Sequence, residues 1–342
     1  MTPRGPLPQG DIDADPFRER RAATPYASAR LLGGDFEFIA RDAKLRRIIE
    51  HAYGDLPRHD LARRTPRFRV HLEVVRRAAP SARTVPRIEM LSGATFLCAA
   101  TGASTFAAIS PAERAAVIAV SRGMLRHEYH VRYELLEFAV FTLAARAQGL
   151  VPLHAACVGL GGRGVLLMGD SGAGKTTAAL GCLIRGFELV SEDSAFVARH
   201  SMLATGVANF LHVRRESLGL LPRSVAAILR GSPEIRRRSG VVKLEIDVRR
   251  APFRLAPKPV AVKALVFLTA KVPNRGEALV PLRRSEIVRR LAAAQPYAAG
   301  RPEWNDFVRR LGSVPTFELR RSGDPGETAE TLARLLSDPH RR

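Results

Sequence analysis

The chain is short of most residues that would tie its structure together or fix it in place. It has three cysteines in 342 residues, Cys98, Cys157 and Cys182. They sit in apolar surroundings without paired spacing, which argues against a disulfide framework or a zinc site and for a reducing compartment. Only six of the 54 basic residues are lysine, and tryptophan occurs once. No hydrophobic run approaches a membrane span, because Arg146 interrupts the longest apolar helical stretch, at 135–150. The first residues, Met1-Thr2-Pro3-Arg4-Gly5-Pro6, hold no apolar segment of the secretory kind. A cytoplasmic protein with no membrane partner is expected.

Acidic residues are also few, 33 against 54 basic ones, so the formal charge is +21. Such a balance invites a nucleic-acid reading. Yet the arginines are spread along the whole chain, with no aromatic-interleaved basic stretch, zinc finger or helix-turn-helix pattern. Nucleic acid is therefore not expected as a partner. The densest basic piece runs from Arg230 to Arg254 and contains Arg236-Arg237-Arg238. It reads either as a solvated loop or as a docking surface for an acidic or phosphorylated partner.

The length suits two domains, each with its own core. Residues 1–33 are rich in Pro, Arg, Ala and Asp without periodicity and read as a disordered tail. A smaller α/β domain is expected over 34–150. It would hold alternating strands at Phe36–Ala40 and Phe68–Val74, further strands at 88–97, 107–109 and 115–121, and helices at Arg41–Tyr53 and Glu134–Gln148. His127 and His130 lie three apart, which is not the two-histidine helical zinc spacing. Trp304 and Phe307 read as core residues of a late helix. The remaining domain, 151–342, carries the chemistry.

There Gly169-Asp170-Ser171-Gly172-Ala173-Gly174-Lys175-Thr176 fits the phosphate-cradling pattern G-x-x-x-x-G-K-[ST]. Val165 to Met168 reads as a strand before it, Thr176 to Arg185 as a helix after it, and Gly186 as the helix stop. Successive N–H groups at a helix start make an anion site. Gly169 to Thr176, with Thr177, would bind ATP; Lys175 would reach its outer phosphates and Thr176 would ligate Mg²⁺. The preceding strand, Leu153–Leu160, and the Gly161-Gly162-Arg163-Gly164 turn predict a hairpin feeding the loop. Most P-loop proteins feed it from a parallel βαβ unit instead.

After the helix, Phe187–Val190 reads as a strand ending in Glu192-Asp193, the latter 18 residues after Lys175. If that strand lies beside the P-loop strand, both carboxylates face the γ-phosphate. One would hold Mg²⁺ and the other would accept the proton of an attacking hydroxyl.

Together these residues resemble the catalytic domain of the HPr kinase/phosphorylase family, strongly over 150–200 and weakly elsewhere. The resemblance implies a mixed-sheet P-loop kinase domain of the phosphoenolpyruvate-carboxykinase-like type. It also implies ATP, Mg²⁺ and phosphorylation of a serine hydroxyl on a protein or peptide. By position it gives Glu192 the role of general base and Asp193 that of metal ligand, although the family usually has Asp-Asp there. The glycine-rich segment that supports phosphorolysis in true HPr kinases is missing. The downstream half, including Leu211 to Leu220 and Gly240 to Asp247, is similar to HPr-kinase-like proteins that modify peptides. The resembling family forms rings, but oligomeric state does not carry over on motif evidence.

Four further residues stay open between function and a structural role. His154 either lies near the phosphates or is a hairpin-end histidine. Arg214 and Arg215 either contact phosphate or are solvated. Lys243 is either a phosphate or substrate contact or an edge-strand charge. The alternatives to a serine kinase are an ATP-binding scaffold without transfer and a kinase of a small alcohol. A carboxykinase-like enzyme and a nucleic-acid-stimulated ATPase have less support.

Overall fold

The computed structural model describes residues 24–337 apart from 63, 76–84, 86, 94–95, 102–103, 270–277 and 321–322. Most of the expected tail lies outside this range, as does most of the loop expected at 75–86. The tail boundary needs correcting, because strand β1 (Ala27–Leu31) already pairs antiparallel with β2 (Gly34–Ala40). Leu31 and Leu32 are buried there, so order begins before residue 33.

The N-terminal sheet continues with β3 (Arg67–Val75), β4 (Ile88–Ser92), β5 (Leu97–Thr101), β6 (Thr105–Ser110) and β7 (Ala115–Ser121). Its order is β1-β2-β3-β7-β6-β5-β4, with β2, β3 and β7 mutually parallel and the other pairs antiparallel. Period-two patterning explains which face is covered. Phe68, Val70 and Leu72 of β3 are buried, while Arg69, His71 and Glu73 between them are exposed. Helix α1 (Ala43–Tyr53) packs Leu45, Ile48 and Ile49 on the covered face, capped by the Asp42 carboxylate, which accepts from Lys44 N at 2.8 Å. Helix α2 (Glu137–Gln148) lies on the same face and ends at Gly149, whose φ of +61° is the left-handed stop. It is entered through a widened π-helical turn, Val131–Leu136.

The second sheet holds β8 (Leu150–Leu153), β9 (Ala156–Leu160), β10 (Arg163–Met168), β11 (Glu188–Ser191), β12 (Ala195–Ala198) and β13 (Leu203–Thr205). A small third sheet of β14 (Phe210–Val213), β15 (Glu234–Arg236) and β16 (Val242–Asp247) stands beside it. The chain then returns to the second sheet with β17 (Arg254–Leu255), β18 (Val260–Thr269), β19 (Leu279–Pro281) and β20 (Thr316–Arg320). The helices of this half include α3 (Lys175–Ile184), α4 (Arg223–Leu229), α5 (Arg284–Ala294), α6 (Glu303–Leu311) and α7 (Pro325–Ser337). Trp304 and Phe307 are core residues of α6. The fold is mixed α/β with mixed sheets.

Two details of the second sheet differ from the sequence expectation. The strand expected over 153–160 is broken at His154, where the chain leaves β8 for β9. Strand β11 does not lie beside β10, because β9 runs between them, antiparallel to both. β10 and β11 are nonetheless parallel to each other, so both end at the same sheet edge. The hairpin entry is present: Gly161 and Gly162 take φ of +57° and +77° between β9 and β10, as a tight two-residue turn requires.

Helix α3 is held against α7 by a close approach at Gly181. A Cβ there would meet Pro325 O at 2.5 Å and Pro325 Cβ at 2.8 Å. Helix propensity alone would favour Gly181→Ala by about 1 kcal/mol, but overpacking costs about 1–3 kcal/mol. Gly181→Ala is therefore expected to lower stability in urea denaturation, and Gly181→Leu to lower it further. A gain for Gly181→Ala would contradict this contact.

Candidate active site

The loop after β10 is shaped by its glycines. Gly169 has φ of +143°, and a Cβ on it would meet Ala173 Cβ and Leu268 O, both at 2.9 Å. Gly174, at φ +93°, turns the chain into α3, a conformation open to glycine at little cost. The helix start then presents its free N–H groups at the loop. Lys175 is buried and folded back, its Nζ donating to Gly169 O at 2.9 Å and lying 3.2 Å from His154 Nε2. The other ring nitrogen, His154 Nδ1, is 3.3 Å from Asp193 Oδ1. When the ring is neutral, the tautomer with hydrogen on Nδ1 serves both contacts.

Glu192 is held differently. Thr176 Oγ1 donates to its Oε1 at 2.6 Å, and His212 Nδ1 faces its Oε2 at 3.2 Å. The far side of the same ring, His212 Nε2, faces Glu245 Oε1 at 3.2 Å. Arg132, from the π-turn of the N-terminal unit, forms a buried ion pair with Glu245 and lies over the Phe210 ring at 4.0 Å. The rings of Tyr129 and Tyr133 meet His212 edge-on at 5.9 and 6.2 Å. Each group in this row answers its neighbour's charge. Burial alone would raise the Glu192 carboxyl, but the His212 bond and charge, with Thr176, bring it well below the carboxylate range. Glu245 is likewise raised by burial and brought down to about 2 by His212 and Arg132. Burial lowers His212, yet its two carboxylate partners carry it above the ordinary histidine value. A carboxylate on each side of the ring thus favours its imidazolium form.

Lys175, Thr176, Glu192, Asp193 and His154 line one cavity of about 500 Å³, the size of a small-ligand site. Ser171, Gly172, Gly174 and Thr177 line it too, while Asp170 O accepts from Ala173 N within the loop at 2.9 Å. Arg214 and Lys243 reach the same cavity from the third sheet. Lys243 is on β16, the central strand of that sheet, so it is not an edge-strand charge. Arg215 turns away to bond Glu234 at 2.7 Å and lies outside the cavity. Of the histidines weighed for metal, His130 Nδ1 pairs with Glu134 Oε1 at 3.0 Å. Sequence reasoning missed His212, Glu245, Arg132 and Arg237. The signal for two of them was alternation: Glu245 sits two past Lys243 on β16, and His212 sits two before Arg214 at the end of β14.

No family model and no curated protein matches the chain. Among solved structures it is similar to the HPr(Ser) kinase/phosphatase from Coxiella burnetii, at 18% identity and a TM-score of 0.27. That match covers 54% of this chain and 93% of the other. It is a distant likeness in fold.

Breaking the buried row should be costly. Arg132→Met leaves Glu245 without its guanidinium and is expected to destabilise by about 3–5 kcal/mol, read by urea denaturation. The row also sets a pH window. The raised His212 contributes stability that is complete below about pH 6.5 and is lost as pH rises through its folded value. The depressed Glu192 and Glu245 contribute stability present above about pH 4.3 and lost as pH falls through their folded values. Melting temperature is therefore expected to decline on the alkaline side, and His212→Gln to flatten that decline while lowering stability throughout. An unchanged alkaline limb in His212→Gln would remove His212 as its cause.

Proposed function

We propose that the chain is an ATP-dependent kinase that transfers the γ-phosphoryl group to a hydroxyl, a serine of a protein or peptide. On this reading the P-loop domain is of the phosphoenolpyruvate-carboxykinase-like type. The observation that supports it is the meeting of Thr176 and Glu192 at 2.6 Å in the cavity that also holds Lys175 and Asp193. A phosphate cradle alone binds a nucleotide; a cradle with two carboxylates at its helix start can also manage a metal and a proton.

The donor set fits a magnesium ion, which takes hard oxygen ligands and few of them from protein. Thr176 and Glu192 would hold the ion, and when bound it supplies positive charge at the phosphoryl oxygens. This exchanges the roles expected from sequence, where Asp193 was the metal ligand and Glu192 the base. Glu192 is fixed by Thr176 and His212, and its basicity is suppressed by the imidazolium. A general base works best with a pKa near the operating pH. Asp193 keeps 21% of its side chain exposed and contacts His154, which would orient it. In the reaction the acceptor oxygen bonds to the γ-phosphorus, its proton goes to Asp193, and the bond to the departing ADP breaks. Lys175 would exchange His154 and Gly169 O for phosphate oxygens and stabilise the charge that builds there.

Transfer of labelled γ-phosphate from ATP to proteins and peptides encoded beside its gene tests this. Wild type is expected to label a serine, and Lys175→Ala to label nothing. Asp193→Asn should lower kcat by about 10²–10⁴-fold with nucleotide affinity retained, whereas Glu192→Gln should raise the Mg²⁺ concentration needed. Wild-type turnover by Asp193→Asn would return the proton to Glu192. Tight ATP binding with no transfer to any acceptor would leave the scaffold reading.

A further inference from the structure

The cavity has a second set of cations that the P-loop does not supply. They come from one face of the third sheet. β14 and β16 pair with His212 opposite Glu245 and Val213 opposite Leu244, so Arg214 falls one step further, beside Lys243. β15 and β16 pair with Ile235 opposite Lys243, and Arg237 N then donates to Val241 O at 2.9 Å. Cross-strand partners share a face, as do alternate residues along a strand. His212, Arg214, Lys243, Val241 and Arg237 therefore point the same way, and all five line the cavity.

Arg237 is the informative member. Its Nε and Nη2 are buried and have no hydrogen-bond partner among the described residues. Its neighbours in the basic run are differently occupied: Arg238 bonds Glu134 at 2.6 Å, and Arg236 is exposed with Nη1 3.4 Å from Gly240 O. The Arg237 guanidinium lies 5.9 Å from the Tyr133 ring centroid, so the N-terminal unit backs it from below. Buried guanidinium donors left without acceptors are costly, and a site that keeps them is suited to an incoming anion. Lys243 gives the same sign: burial and the nearby Arg237 both push its amine down, against the pull of Glu192 and Asp193. An anion between the two cations would relieve that crowding. Glu216 and Asp324 also line the cavity, so the positive field belongs to this sheet face and not to the whole wall.

His212, on the same face as Lys243 and Arg237, meets Glu192 at 3.2 Å, and all of them line the cavity with Asp193, which places these cations on the carboxylate side, where the acceptor hydroxyl must approach. The nucleotide phosphates already have the loop N–H groups and Lys175. We propose that Arg237, Lys243 and Arg214 form an anion subsite for a phosphate or carboxylate group carried by the acceptor itself. The proposal rests on the kinase reading above and narrows its substrate to an acidic acceptor, with the anion close to the hydroxyl that is phosphorylated. The anion is bound and not transformed; it fixes the hydroxyl toward Asp193.

Calorimetric titration of the full chain at low salt tests the subsite. The probes are inorganic phosphate and acetate, and the background is Lys175→Ala, which disables the P-loop. Phosphate or acetate is expected to bind Lys175→Ala, and Arg237→Gln added to it to weaken that binding at least about tenfold. Lys243→Gln serves as a second variant, and melting curves check that each is folded. Tighter phosphate than acetate assigns a phosphate ester on the acceptor; the reverse assigns a carboxylate. Equal anion binding with and without Arg237→Gln, or no binding of either anion, would overturn the subsite. So would an Arg237→Gln protein, with Lys175 intact, that loses ATP affinity as strongly as anion affinity, since the arginine would then serve the nucleotide. Failure of wild type to bind ATP would sink the kinase reading alone, because the anion comparison is made without a working P-loop.

Discussion

The candidate site depends on a buried imidazole, favoured in its charged form, between two carboxylates. Glu192 and Glu245 are both buried and would repel across the small sheet if His212 were neutral. The imidazolium answers one carboxylate at each ring nitrogen, at 3.2 Å on both sides. Breaking this row is costly, yet against an apolar replacement of the whole row it gains little, since desolvation offsets most of the attraction. Its value is geometric: it leaves Glu192 with one orientation, in which the remaining oxygen meets Thr176. Arg132 extends the row by one more charge and brings in the N-terminal unit. That unit therefore has a physical part in the site, supplying Arg132 and the Tyr129 and Tyr133 rings against which His212 and Arg237 lie. Other buried contacts fasten the same seam. Asn209 donates to Ala52 O at 3.1 Å, and Arg249 to Gly54 O at 2.9 Å.

The third sheet does two jobs with one face because its side chains alternate. Going from Glu245 to Lys243 along β16 moves two residues and stays on the same face, yet the sign of the charge reverses. The inner end, with His212 and Glu245, is sealed and self-compensated. The outer end, with Arg214, Lys243 and Arg237, is not compensated by its own sheet. The same strands thus order a carboxylate at depth and present cations at the mouth. The charge excess of the chain is informative only in this local sense. Arginines elsewhere are paired, as Arg215 and Arg249 are, whereas Arg214 and Arg237 share one face and one cavity with Lys243.

The parts of the site legible in sequence were the local ones. The glycine loop, the hairpin that feeds it and the acidic pair lie within about forty residues, from Leu153 to Asp193, and each has a fixed spacing set by backbone geometry. Even the insertion of β9 between β10 and β11 left the two strand ends together, because parallel strands once removed still finish at the same edge. The rest depends on contacts distant in sequence. Arg132 and Glu245 are 113 residues apart, and no spacing rule connects a π-turn in one unit to a central strand in another. Arg237 read as the middle of a basic run, either a solvated loop or a docking surface, and only the pairing of β15 with β16 turns it inward while Arg236 and Arg238 stay exposed. Nor could spacing decide which of two adjacent carboxylates faces Thr176, since neighbours at a strand end point to opposite sides.

The division of roles proposed for Glu192 and Asp193 follows from environment and not from residue type. Two carboxylates one residue apart begin as chemical equals. The deeper one receives an imidazolium and a hydroxyl, so its negative charge is stabilised and its affinity for a proton falls. Such a group suits a metal, which asks for a fixed anionic oxygen and competes poorly with protons. The shallower one meets His154, whose other nitrogen faces Lys175. On the proposed reading, Lys175 would turn to a phosphate, that imidazole would lose its second contact, and Asp193 would be the carboxylate nearer to solvent and to an incoming hydroxyl. Lowering the basicity of one carboxylate is how a site can hold a cation where a proton would otherwise compete. Here the lowering of Glu192 is produced by His212, and through Glu245 and Arg132 it rests on a residue contributed by the other half of the chain.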